Sequence, residues 1–163
     1  MTTVVSDASP LINLARIGHL SLLARLFARL CIPQAVYDEV VVQGSGQPGA
    51  AEVAGSDWIT VQAVTNPPLV RVLRQELDAG EAEAIALGLE CGADLLLMDE
   101  RMGREVAGRL GLRCVGLVGV LLVVKRAGLI PGIREALEAL RDKAGFRLSE
   151  TLCSQILSEA GEE

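Results

Sequence analysis

Along the chain, short apolar runs alternate with longer stretches in which apolar residues recur every three or four positions. TVVS near the N-terminus reads as a short buried strand, WITVQAV alternates well enough for a second, DLLLMD is continuously apolar, and RCVG is a brief fourth. Between them lie stretches of helical spacing. SPLINLARIG has Ser9 as N-cap and Pro10 at its first position, and HLSLLARLFARL repeats leucines. CIPQAVYDEVVVQ is read as a third helix entered at Pro33, and AAEVAG follows the flexible loop GSGQPG. GEAEAIALGLECG is rich in Ala and Leu, ERMGREVAGRLG follows, and LVGVLLVVKRAGLI is largely apolar. Two further helices, PGIREALEALRDKAG and SETLCSQILSEAG, close the chain.

Short apolar strands alternating with helices predict a parallel sheet covered on both faces, an α/β/α sandwich of three layers. With 163 residues, half of them apolar, the chain can bury one sizeable core but not two ordinary ones. The expectation is a single domain over residues 1–163, with 131–163 a helical extension packed on it.

Two of the buried-type strands end on an aspartate just before a helix, Asp7 after VVS and Asp99 after LLLM. In open parallel sheets ligands bind beyond the carboxyl ends of strands, so these two acids are expected to meet. At about 100° per residue, Glu39 falls on the same side of its helix as Val36 and Val40, where an ionised carboxylate is costly unless paired or metal-bound. By the same test Glu81 shares a face with Ile85 and Leu89, whereas Glu83 lies on a more exposed side. Four carboxylates from four separate elements thus point to one edge of the sheet. Oxygen ligands without histidine or thiolate suit Mg²⁺ or Mn²⁺, which favours phosphodiester hydrolysis. Arg101 and Arg104, just after Asp99, are candidates for substrate phosphate.

Charge complicates that picture. The net charge of −6 opposes a nucleic-acid partner, although two divalent cations would offset four of those charges. The aromatics are two Phe, one Tyr and one Trp, so base stacking has little to draw on and recognition should rest on shape and backbone. Cys31, Cys91, Cys114 and Cys153 form no C-x-x-C pair and read as reduced core thiols. A single histidine, His19, excludes H-E-x-x-H chemistry. DASP lacks the second acid at the first strand that an aspartyl-phosphate mechanism would want. No apolar run reaches membrane-spanning length and no signal-peptide pattern opens the chain, so a soluble, cytoplasmic protein without a membrane partner is expected.

VSDASPLI, Glu39 within AVYDEVV, GEAEAIALGLECGADLLLMDERMGREVA, VGLVGVLLVVKRAGLI and the terminal GFRLSETLCSQILSEAGE together resemble the PIN-domain proteins, most closely the VapC-like toxins that begin D-x-S-P-L-I. The resemblance covers nearly the whole chain and implies a Mg²⁺- or Mn²⁺-dependent ribonuclease. Asp7, Glu39, Glu81 and Asp99 would be its catalytic and metal-binding acids, with Ser9 orienting the first. It further implies an RNA substrate, a small antitoxin protein that occludes the site, and often a homodimer. A non-catalytic nucleic-acid-binding or scaffold protein of the same fold is the alternative. One departure stands out: relatives often show G-T-x-G where this chain has GLVG, so Leu117 replaces a hydroxyl residue.

Overall fold

Strand alternation decides which core each β-residue joins. In the computed structural model, which describes residues 2–162, β1 (Val4–Ser6) leads into α1 (Ala8–Arg16) and α2 (Ser21–Phe27). Then come β2 (Leu30–Pro33), α3 (Gln34–Tyr37) with a π-helical continuation over Asp38–Gln43, α4 (Ala50–Ala54) and β3 (Ile59–Gln62). Next are α5 (Pro67–Leu73), α6 (Ala79–Glu90), β4 (Leu95–Leu97), α7 (Arg101–Arg109) and β5 (Cys114–Val115). The chain ends with α8 (Leu117–Arg126), α9 (Arg134–Lys143) and α10 (Glu150–Glu159).

All strand pairs are parallel, in the order β3-β2-β1-β4-β5. Strand order therefore reverses between β1 and β4, which run in register with Val4 beside Leu95 and Ser6 beside Leu97. On one face Val4 and Leu97 pack with α1, α2 and α8, and also with Leu137 and Leu140 of α9 and Ile156 of α10. On the other, Val5, Leu96 and Met98 pack with Leu73 of α5, the Ala and Leu residues of α6, and Val106 of α7. The expected three layers are present.

Two elements differ from the sequence reading. Leu30–Pro33 is a central strand, not the start of a helix: α2 stops at Phe27, Ala28 takes a positive φ of 61°, and the chain turns into the sheet beside β1. Pro33 ends that strand and serves as N-cap of α3, which suits a residue with fixed φ and no N–H to leave unpaired. PPLVRVL, for which the sequence pattern predicts no element, forms α5, with Asn66 capping the Leu69 N–H. At the first helix the N-cap is Asp7 rather than Ser9. The four cysteines are free and half-buried. Among the described residues, no helix is long and apolar enough to cross a membrane.

Candidate functional site

Asp7 follows β1 directly and continues the alternation of Val5, so its side chain leaves the sheet on the α6 side. It is 5% exposed. The N-terminus of α6 approaches closely there because Gly80 has no side chain. A methyl group at that position would stand 3.1 Å from Glu39 Oε1, 3.3 Å from Asp7 Oδ1 and 3.6 Å from Asp78 Oδ1. Three carboxylates from three elements thus surround one small space.

Asp78 is the acid that sequence reasoning missed. It is the N-cap of α6, accepting from the Glu81 N–H at 2.8 Å, while Glu81 Oε1 accepts from the Asp78 N–H at 3.0 Å. The D-x-x-E spacing of this reciprocal cap was visible in DAGE. One Glu81 oxygen is therefore held by the cap. The other lies 3.5 Å from where a Gly103 side chain would begin, so a small residue in α7 is needed for α7 to approach both Glu81 and Met98.

Glu39 reaches the site from the π-helical turn, a form of backbone that recurs at functional positions. Val36 and Val40 anchor the turn in the core, and Glu83 holds its entry by accepting the Ala35 N–H at 3.1 Å. The glutamate assigned to the more exposed side is thus a positioning residue for the helix that carries Glu39.

Burial, and behind it mutual repulsion, raises the proton affinity of this cluster. Asp7 is pushed up to about 7, first by burial and then by the charges of Asp78, Glu81 and Glu39, against a lowering by the Ala8 N–H. Burial, with the charge of Asp78 behind it, raises Glu39, and burial also raises Glu81. Buried acids that cannot all ionise together are the arrangement a bound cation would relieve.

Asp99 behaves differently. It continues the alternation of Leu97, so it leaves the sheet on the α8 side, opposite to Asp7. Its Oδ1 accepts the Leu117 N–H at 2.7 Å, and Arg104 is its nearest opposite charge. Burial nonetheless raises its pKa, and its Oδ2 is buried without a hydrogen-bond partner. Leu117 itself is fully buried in the core, so at this position a backbone N–H holds the strand-end acid and no side-chain hydroxyl is needed.

The structure thus brings together Asp7, Glu39 and Glu81, adds Asp78, and sets Asp99 one strand away. Among the described residues, no three His, Cys, Asp or Glu side chains stand as a ready metal-binding group. Ser9 accepts from the Asn13 amide at 3.3 Å. The two arginines separate: Arg104 lies beside Asp99, whereas Arg101, with its side chain 87% exposed, pairs with Glu105 at 3.2 Å.

The donor chemistry fits a hard divalent cation. All the acids offer oxygen, the space at Gly80 is one that a methyl group would fill, and Asp99 Oδ2 is an orphaned buried acceptor. Gly80→Ala tests this space. Alanine favours a helix by about 0.5–1 kcal/mol over glycine, which offsets part of the crowding its methyl brings at 3.1 Å and 3.3 Å. Its methyl would press on Glu39 and Asp7, and Mn²⁺ affinity by calorimetry should fall about tenfold. Unchanged affinity would show that the space has no role in binding.

Compared with known proteins, the chain matches the family DUF3368, described as a PIN domain, over residues 3–162. A solved structure of a PilT N-terminus domain protein from the hyperthermophilic archaeon Sulfolobus solfataricus P2 has a similar fold. Its TM-score is 0.56 at 20% identity, covering 74% of this chain and 91% of that one. No curated protein matches.

Proposed function

The chain belongs to the PIN-domain family, and from that premise we propose that it is a Mg²⁺- or Mn²⁺-dependent endoribonuclease, the toxin of a toxin–antitoxin pair. PIN domains are generally nucleases and typically use divalent metal ions. The observation that carries the reading here is the meeting of Asp7, Glu39 and Asp78 oxygens around Gly80, with Glu81 locked beside them by its cap.

In this proposal Asp7, Glu39 and Glu81 hold the cation, and Asp99 joins them by turning its unpartnered Oδ2 toward the cleft. The cation would supply Lewis acidity, activating water and offsetting charge on the phosphate and leaving oxygen. The chain's own residues set the geometry. The Asp78 cap fixes Glu81, the Leu117 N–H restrains Asp99, and Glu83 steadies the helix entry behind Glu39. Arg104, which acts on Asp99 as an opposite charge, would meet substrate phosphate. Hydrolysis itself needs only that a water oxygen bond to phosphorus as one P–O ester bond breaks, its proton passing to the departing oxygen or to solvent.

RNA as substrate, a small antitoxin protein over the cleft and a homodimer rest on the resemblance to VapC-like toxins. A second reading, a PIN-like protein that binds RNA without cutting it, is favoured by one observation: the Leu117 bond keeps Asp99 from the other acids. Incubation of labelled single-stranded RNA with and without Mn²⁺ separates the two. Cleavage only with Mn²⁺, lost in Asp99→Asn, supports the enzyme. Equal behaviour of wild type and variant would sink it.

A further inference from the structure

The two strand-end aspartates leave the sheet on opposite faces, and the Asp99 side opens into a cavity of about 460 Å³. That volume lies in the range of small-molecule sites. It is bounded by Asp99, Arg104 and Gly116 at the strand ends, and by Phe146, Arg147 and Leu148 from the segment between α9 and α10. The Phe146 N–H is bonded to the Leu140 carbonyl at 2.9 Å, which ties this segment to the end of α9. Phe146 is half-buried against the core, whereas Arg147 is exposed and, among the described residues, has no ion-pair partner. Arg147 and Arg104 thus line one cavity in a chain with 21 acidic and 15 basic residues.

The wall therefore offers two guanidinium groups for phosphate and one of the chain's few aromatic rings, with Leu148, for a base. An acidic peptide would use the arginines but leave the position next to Asp99 unexplained. Asp99 and Arg104, which the nuclease reading brings to the substrate, both line this wall. Resting on the nuclease reading above, we infer that residues 146–148 and Arg104 form a subsite for the nucleotide adjoining the scissile phosphate of a single-stranded RNA. Arg147 takes its phosphate and Phe146 its base. The chain's aromatics are few, and the place of this one in the fold is what offers a stacking surface.

The test uses the full chain with Arg147→Ala, Arg147→Lys and Phe146→Leu, the last chosen to keep the packing. With Mn²⁺, KM for a single-stranded decamer should rise about tenfold for Arg147→Ala and for Phe146→Leu, the scale of one lost stacking or phosphate contact. kcat should stay within about twofold, and Arg147→Lys should recover part of the loss. In EDTA, decamer binding by fluorescence anisotropy should lose about 0.7 from its salt slope in Arg147→Ala.

If the wild type cuts RNA and the variants match it, the subsite is wrong and the nuclease reading stands. If the wild type binds RNA without cutting it and Arg147→Ala weakens binding, the subsite stands and the nuclease reading falls. A wild type that neither binds nor cuts overturns both.

Discussion

Asp7→Asn should abolish metal-dependent RNA cleavage while making the metal-free protein more stable at neutral pH. Those two signs together distinguish a functional acid from a structural one. Asp7 is the most enclosed of the acids, and burial, with three neighbouring carboxylates behind it, raises its pKa to about 7. Asparagine keeps the shape and removes the charge. Loss of an acid in direct contact with the cation should exceed the roughly 10–100-fold cost of removing an outer-shell partner, so cleavage should drop by more than about 100-fold. Had Asp7 served only as the cap of α1, the substitution would leave cleavage within a few-fold, since asparagine caps as well as aspartate.

The second large effect is the pH dependence of stability without metal. The folded-state pKa of Asp7 lies above its ordinary value of 3.8, so the fold favours the protonated form. Its contribution is complete below about pH 4 and is lost as pH rises through about 7. A shift from 3.8 to about 7 corresponds to about 4 kcal/mol, an order-of-magnitude figure. Glu39 and Glu81, raised in the same direction, add to it. In EDTA the melting temperature should therefore fall by about 10 °C between pH 4.5 and pH 8, and Asp7→Asn should flatten most of that fall. Millimolar Mn²⁺ at pH 8 should restore the wild type and not the variant. A melting temperature that rises with pH in EDTA would contradict the repulsive cluster.

Much of this site was legible along the chain, for physical reasons that can be separated. Asp7 and Asp99 were found because buried strands announce themselves as apolar runs, and a parallel sheet gathers strand ends. Glu39 was found through the i, i+4 pair Val36 and Val40, although the helix changes to a π-turn at Asp38. The pairing survives that shift because both valines stay in the core. β2 escaped because LCIP is four residues long and runs straight into a helix through a proline, which reads equally as a helix start.

Other features depend on tertiary structure. That Asp7 and Asp99 diverge follows from the β1–β4 register, with Ser6 beside Leu97, which no local pattern reveals. That GLVG works without a hydroxyl depends on a backbone N–H reaching across to Asp99. Asp78, by contrast, lay in a spacing that local rules recognise. Its cap role is local, whereas its place beside Asp7 and Glu39 is set by the packing of α6.

The most direct measurement is the anomalous difference density of crystals soaked in Mn²⁺. The predicted result is a peak beside Gly80, within ligand distance of Asp7 and Glu39, with Asp99 swung toward it. A well-soaked crystal with no peak there, or with manganese bound only elsewhere, would contradict the claim that these acids form a cation site.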